Sequence, residues 1–134
     1  MIYLLAALAA QPTIGADAVV GRWRTEAQHG VVEIARCGDS ICGKLVDSDG
    51  LKADPSMLDG RNKNTALRGR KLMNLPMLQG FSWKPGAWSG GTIYNAQDGG
   101  TYNATVTPLD AGKLLLKGCI VWPLCKTQTW TRIR

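Results

Sequence analysis

The chain has 134 residues, which is enough for one domain with a single core. Its hydrophobic content of 45%, charged content of 19% and formal net charge of +6 are ordinary for a globular protein with a basic surface. Sixteen glycines, six prolines and five tryptophans indicate many turns and packed strands, which argues against a fold of long helices.

The first ten residues, Met1 to Ala10, are wholly apolar but too few to span a bilayer. They resemble the apolar region of a secretory signal and are followed by small residues, although no Lys or Arg precedes them. We predict a signal peptide over residues 1–16, cleavage between Ala16 and Val19, and a mature periplasmic or secreted domain over residues 19–134. A buried N-terminal helix or strand is the alternative interpretation.

The next part of the chain predicts three strands, over residues 19–25, 30–36 and 41–46. In the second of them, Val32 and Ile34 share one face because side chains on a strand alternate with a period of two. The only histidine, His29, falls in the turn between the first two strands. We interpret it as a solvated turn residue and not as a catalytic base.

Residues 47–75 show no clean hydrophobic period, and we predict a long loop with at most one short helical turn. A loop of this length inside a compact domain is uncommon and often functional. Its second half carries a cluster of positive charges, which predicts attraction to an anionic membrane surface, an envelope polymer or a ligand phosphate. A solvated loop is the alternative. The clustered residues are Arg61, Lys63, Arg68, Arg70 and Lys71.

After Pro76 the strand pattern resumes, and Asp98-Gly99 is a strong hairpin signal. The predicted strands are residues 77–84, 88–95, 100–107, 113–120 and 126–133. About eight short strands in series predict an all-β fold, a single antiparallel up-and-down barrel with the one long loop. In such a barrel the first and last strands pair, so Trp23 and Arg132 are expected to meet with the guanidinium over the ring.

The four cysteines form two closely spaced pairs, Cys37 with Cys42 and Cys119 with Cys125. Each spacing suits a disulfide across the mouth of a hairpin, and we predict this local pairing among the possible connectivities. A zinc site is the alternative for a cytosolic protein, but the spacing matches the usual zinc ligands poorly.

Six stretches of the chain together carry a resemblance to one bacterial family. They are Gly21–Thr25, Arg36–Gly43, Leu67–Leu72, Trp88–Tyr94, Asp98–Tyr102 and Thr127–Arg132. Through them the chain resembles the exported bacterial proteins of the family called domain of unknown function 2147. The resemblance implies a lipocalin-like (calycin) barrel. The family has no settled activity, so the resemblance implies no catalytic residue.

Polar side chains on the inner face of the barrel are the candidates for ligand binding. Along the last strand, Gln128, Trp130 and Arg132 share one face, and Tyr102 belongs to the buried face of its own strand. Such groups in an apolar cavity can hold the polar head of a ligand. The candidates are Trp23, Tyr102, Gln128, Trp130 and Arg132. For Arg132 we favour the alternative of a structural latch on Trp23.

The favoured function is binding of a small hydrophobic or amphipathic ligand, such as a lipid, within the barrel. The alternative is a structural or interaction protein of the cell envelope with a filled barrel. A barrel enzyme ranks last, because the chain has no Gly-x-Ser-x-Gly motif and no cysteine remains to pair with His29 if all four are bridged. No cofactor, metal or nucleic-acid partner is predicted. A nucleic-acid-binding barrel becomes the chief rival only if the signal peptide is wrong.

Overall fold

A computed structural model describes residues 14–134, so most of the predicted signal peptide lies outside the described residues. Within this range the chain is dominated by nine strands, with one short helix, α1 (Asp49–Ala53), and two single 3-10 turns, Ala16–Val19 and Thr65–Leu67. The strands are β1 (Gly21–Arg24), β2 (Val31–Cys37), β3 (Ser40–Asp47), β4 (Pro76–Gln79), β5 (Ser82–Lys84), β6 (Ala87–Asn95), β7 (Gly100–Asp110), β8 (Lys113–Val121) and β9 (Leu124–Ile133).

Eight of the strands close into a barrel. They follow the order β4-β3-β2-β1-β9-β8-β7-β6, all pairs are antiparallel, and β4 also pairs with β6 to complete the ring. The remaining strand, β5, pairs with β6 outside the ring. The predicted single antiparallel barrel of about eight strands is therefore confirmed. The first and last strands lie side by side, and Trp23 is opposite Arg132.

The strand predicted over residues 77–84 is wrong in one respect, because the structure divides it into β4 and β5. The break falls at Gly80, whose φ of +79° is a conformation that side-chain-bearing residues rarely adopt. The following residue, Phe81, is buried in the core. The chain thus turns at Gly80, and β4 and β5 pair with different parts of β6.

The interior of the barrel is filled by side chains from the inner faces of the strands. Three tryptophans, Trp23, Trp88 and Trp130, are almost completely buried and supply the largest share of its volume. Aliphatic side chains and one phenylalanine pack around them: Val32, Ile34, Ile41, Leu78, Phe81, Val106, Leu114 and Leu116. Because these side chains alternate with outward-facing ones, the core follows from the period-two pattern of the sequence.

The two ends of the barrel differ. At the end where β1 begins, which we call the closed end, the turn Ala16–Val19 covers the core. Its carbonyls accept hydrogen bonds from two core tryptophans, Trp23 Nε1 to Val19 O and Trp88 Nε1 to Ala16 O, both at 2.9 Å. The opposite end, which we call the open end, carries the β6–β7 turn, the β8–β9 turn and the long loop.

The long loop, residues 48–75, packs on a second and smaller apolar cluster. Ser48 caps α1 by accepting a hydrogen bond from the Leu51 backbone N–H at 3.1 Å. Leu51 then packs with Leu45, Leu75 and Tyr94. The prediction of a long loop with one short helical turn holds, except that the loop contains both α1 and the turn Thr65–Leu67.

Both predicted disulfides are present, and all four cysteines are bridged. Cys119 directly faces Cys125 across β8 and β9, whereas Cys37 and Cys42 are joined diagonally across the Gly38-Asp39 turn of β2 and β3. Two disulfides in a chain of this size are typical of exported proteins. In the part of the chain described, no helix is both long and apolar enough to cross a membrane.

Candidate interaction site

The most unusual surface lies at the tip of the β8–β9 hairpin, at the open end. Four large apolar side chains are exposed there: Ile120 (71%), Val121 (59%), Trp122 (77%) and Leu124 (64%). We call residues 120–124 the apolar tip. Single exposed apolar residues are common on soluble proteins, whereas a contiguous group of this kind is a candidate interaction surface.

The apolar tip is cross-linked at its base and continuous with the barrel wall. The Cys119–Cys125 disulfide joins β8 and β9 at its base, and Val121 pairs with Leu124 just beyond it. Behind the disulfide the two strands continue in register into the barrel wall, where Leu114 faces Trp130. Because the hairpin is cross-linked where it leaves the wall, its backbone loses little conformational freedom on binding a partner.

A shallow depression lies on the outer wall beside the tip. Trp122 forms one side of it, and the outward-facing side chains of β7 and β8 form the floor. Strand register brings these groups together, since Thr105 pairs with Lys117 and Asn103 with Cys119. The depression has a volume of about 240 Å³ and combines an indole, an amide, a hydroxyl and an ammonium group.

The five candidate ligand-binding residues do not form one site. Trp23 and Trp130 are core residues. Gln128 is half-buried and accepts a hydrogen bond from Trp130 Nε1 at 3.1 Å. Tyr102 is also half-buried and lies opposite Ile93 on the neighbouring strand β6. Its hydroxyl donates a hydrogen bond to the Asp98 carboxylate. This hydrogen bond, with a smaller effect of burial, raises the pKa of Tyr102.

Arg132 lies at the closed end, far from Tyr102. Its guanidinium lies 4.3 Å from the centre of the Trp23 ring and donates three hydrogen bonds to backbone carbonyls. The acceptors are Val20 O at 2.9 Å, Ala18 O at 2.7 Å and Ala111 O at 2.7 Å. These contacts tie the turn Ala16–Val19, β9 and the β7–β8 turn together, which is the geometry of a latch.

The basic residues of the long loop divide into two groups. Three guanidiniums are engaged within the protein: Arg61 donates to Gln97 O, Arg68 donates to Asn62 O, and Arg70 donates to Asp59. The side chains of Lys63 and Lys71 are exposed. The three arginines of the predicted cluster therefore help to hold the loop, although Arg61 and Arg68 remain exposed together with the two lysines.

A buried polar group at the centre of the loop, Asp59, was not predicted from the sequence. Its carboxylate accepts hydrogen bonds from Tyr94 (2.6 Å), Asn62 (2.9 Å) and Arg70 (3.3 Å). Burial, followed by the hydrogen bond to Asp59, raises the pKa of Tyr94. A buried carboxylate is tolerated only when it is paired in this way, so the network fixes the position of the loop.

The loop also docks on the β6–β7 turn, next to the hairpin that carries the apolar tip. Lys63 N donates to Gly99 O at 3.0 Å, and a Cβ at Gly99 would lie 1.6 Å from Arg61 O. Only glycine allows this approach, and its φ of +73° suits the turn as well. Lys63 is thereby brought to the same end of the barrel as Trp122.

Two further sequence expectations concern chemistry. His29 lies in the β1–β2 turn with φ of +51°, is exposed, and contacts Asp49 through Nδ1 at 2.9 Å. Among residues 14–134, no three His, Cys, Asp or Glu side chains are grouped as metal ligands would be.

The sequence did contain a signal for the apolar tip: five uncharged, mostly apolar residues between two cysteines, with no polar residue at alternate positions.

Comparison with known proteins agrees with this architecture. One solved structure is described as "Protein HP1028 from the human pathogen Helicobacter pylori belongs to the lipocalin family"; it superposes with a TM-score of 0.75 at 23% identity, over 86% of this chain and 82% of that one. At this identity the likeness shows the fold alone. Among curated proteins none matches. The family described as an uncharacterised protein conserved in bacteria matches residues 21–132, and the chain therefore belongs to that family, DUF2147.

Proposed function

We propose that this protein is an exported interaction module, in which a filled lipocalin-like barrel presents the apolar tip to a partner in the bacterial cell envelope. The observation that carries the proposal is the exposure of Ile120, Val121, Trp122 and Leu124 on one disulfide-closed hairpin. The three core tryptophans support it, because they occupy the volume in which a barrel of this size holds a ligand.

The energetics of the tip favour binding. Complete burial of a side chain such as Val, Leu or Ile is worth about 1.5–3 kcal/mol, and the tip holds four large apolar side chains that are mostly in water. Part of that free energy is spent on lost translational and rotational freedom. The disulfide at the base reduces the further cost of ordering the hairpin, so a useful net affinity is expected from this small surface.

Sedimentation with envelope material tests the proposal. The purified protein is mixed with the envelope fraction of a host bacterium and centrifuged, and Trp122→Ser is compared with Leu109→Ser. Leu109 is a matched control, since it is exposed (45%) and apolar but lies at the closed end. We expect Trp122→Ser to stay in the supernatant and Leu109→Ser to sediment like the wild type. Equal sedimentation of both variants contradicts the proposal.

A second candidate function is binding of a small amphipathic ligand at the open end. It is supported by Tyr102 and Gln128, two half-buried polar side chains on inward-facing positions beyond the tryptophan layer. Gly118 lies between them, and a Cβ there would contact Ile93 and Tyr102. Native mass spectrometry of gently purified protein tests this function: a bound mass that is lost in Gln128→Leu supports it, and a bare protein mass counts against it.

A further inference from the structure

We infer that the partner of the apolar tip is the surface of an anionic lipid bilayer, into which Trp122 and its neighbours insert to the depth of the interface. This inference rests on the proposed function, since it names the partner of the same site. Three features of the described residues carry it: the shape of the tip, the charges around its base, and the depression beside it.

The shape of the tip suits a fluid surface. It projects from the barrel as a narrow hairpin end, with its most exposed side chain, Trp122, at the turn. A bilayer accepts such a projection without a preformed complementary groove. Tryptophan is the residue type that favours the membrane interface, because its ring is apolar and its N–H remains near water.

Positive charges lie at the base of the tip. Lys126 pairs with Gly118 and Lys117 pairs with Thr127, so both lysines lie within two residues of the disulfide. Lys63 is at the same end, on the part of the loop that contacts Gly99. Lysines at the base of the tip would reach headgroup phosphates while the apolar side chains of the tip enter the interface.

The positions of the acidic side chains at the open end are compatible with contact between the tip and an anionic surface. Asp98 and Glu26, the carboxylates near β7 and β9, accept hydrogen bonds from Tyr102 and from the Thr129 backbone N–H. Asp47 and Asp49 lie at the end of β3, on the opposite side of the eight-stranded ring from β8. On the side of the barrel that carries the tip, the three lysines Lys63, Lys117 and Lys126 thus outnumber the two carboxylates.

The depression beside Trp122 offers a place for one headgroup. Lys117, Asn103 and Thr105 border it with an ammonium, an amide and a hydroxyl group. Together these groups provide donors for phosphate oxygens and partners for the hydroxyls of a glycerol headgroup. A headgroup there would lie directly next to the indole that enters the bilayer.

Protein-free vesicles test the inference with the full protein. Binding is measured by sedimentation with vesicles of pure phosphatidylcholine and with vesicles of equal parts phosphatidylcholine and phosphatidylglycerol. We expect binding to the anionic vesicles, weakened at least about tenfold by Trp122→Ser and about fivefold by Lys117→Glu, and weakened by added salt. The controls are Leu109→Ser and Lys113→Glu at the closed end, which should bind as the wild type does.

The outcomes separate this inference from the proposed function. Sedimentation with the envelope fraction but not with vesicles overturns the lipid inference, indicates a protein or polymer partner and leaves the proposed function standing. Equal binding to neutral and anionic vesicles overturns the anionic part of the inference. If Trp122→Ser instead converts a dimer to a monomer in size-exclusion chromatography and vesicles do not bind, the partner is a second copy of the chain and the lipid inference fails.

Discussion

The barrel has two hairpins that are each bridged by a disulfide, one at the closed end and one at the open end, and the two bridges have different surroundings. At the closed end, the β2–β3 hairpin has a short turn of Gly38 and Asp39, and its next apolar residue, Ile41, points into the core with no exposed surface. At the open end, the β8–β9 hairpin continues past its disulfide and exposes Ile120 and Trp122. One link closes a hairpin onto the barrel, and the other fixes a hairpin that leaves it.

The number of residues between two bridged cysteines therefore does not indicate the role of the hairpin that they close. What separates the two hairpins is the chemistry of the enclosed residues: Gly38, Asp39 and Ser40 with the buried Ile41 in one, and an exposed apolar run in the other. A structural hairpin gains nothing from exposed apolar residues, which favour aggregation. Their presence between Cys119 and Cys125 therefore argues for a role in recognition.

The largest expected effect is the difference in stability loss between substitutions of Ile41 and Ile120. Ile41→Ala should lower the free energy of unfolding by about 2–5 kcal/mol, because it leaves a cavity in the core. Ile120→Ala should change it by less than about 0.5 kcal/mol, because the side chain is already in water. Urea denaturation of both variants measures the contrast. Comparable losses in the two would mean that the apolar tip is packed and not free.

The closed end is tested next at Arg132. Arg132→Lys keeps the charge but loses the planar fork that reaches three carbonyls, so we expect a loss of about 2 kcal/mol and a lower melting temperature. The exposed Arg134 provides the control Arg134→Lys. Binding to envelope material should be unchanged in both variants. A variant at Arg132 that melts normally but loses binding would reassign this residue from latch to ligand site.

Removal of either disulfide tests whether the two bridges differ in function. By loop entropy, each short bridge contributes about 2 kcal/mol, so the two paired Cys→Ser variants should lose similar stability. Only the pair at Cys119 and Cys125 should also weaken partner binding, because it frees the hairpin that carries Trp122. Thermal unfolding and envelope sedimentation of both variants decide this. Equal loss of binding in both would show that the tip needs only a stable barrel.

The smallest effect concerns Tyr94, which fixes the long loop at the open end. Tyr94→Phe leaves Asp59 without one donor and should cost about 1–2 kcal/mol at neutral pH. The folded state raises the pKa of Tyr94 above its ordinary value near 10. The hydrogen bond therefore stabilises the fold fully below about pH 10 and is lost as the pH rises further.

Denaturation across pH 8–11 measures this prediction. The wild type should lose stability above about pH 10 more steeply than Tyr94→Phe does, and Tyr102, whose pKa is also raised, is common to both proteins. Parallel curves would mean that Tyr94 ionises equally in the folded and unfolded states.

The fold could be predicted from the sequence because its signals are local. Val32 and Ile34 mark an inner face, Asp98-Gly99 marks a hairpin, and strand order alone brings Trp23 to Arg132. The split at Gly80 could not be predicted, since a single glycine within an apolar run does not reveal that two strands pair with different parts of a third. The apolar tip was harder to predict from the sequence, because the period-two alternation of a strand does not show where the strand leaves the barrel wall.

The basic residues of the long loop show a second reason why the site could not be predicted from the sequence. Arg61, Lys63 and Arg70 are indistinguishable as positive charges in the sequence, yet Arg61 donates to Gln97 O and Arg70 to Asp59, whereas no side-chain hydrogen bond of Lys63 is seen among the described residues. Their partners are up to 36 residues away along the chain or are buried by the fold itself. Only a three-dimensional arrangement separates guanidiniums that hold a loop from a lysine that is free to meet a partner.

The latch at Arg132 has a consequence for how the molecule is made. Its guanidinium binds Ala18 O across a sequence separation of 114 residues, and β9 completes the ring beside β1. Contacts of such range form slowly, because the whole intervening chain must be ordered first. The ring cannot close before β9 is available to pair with β1. During synthesis the other strands therefore wait, as an open sheet, for the last strand of the ring.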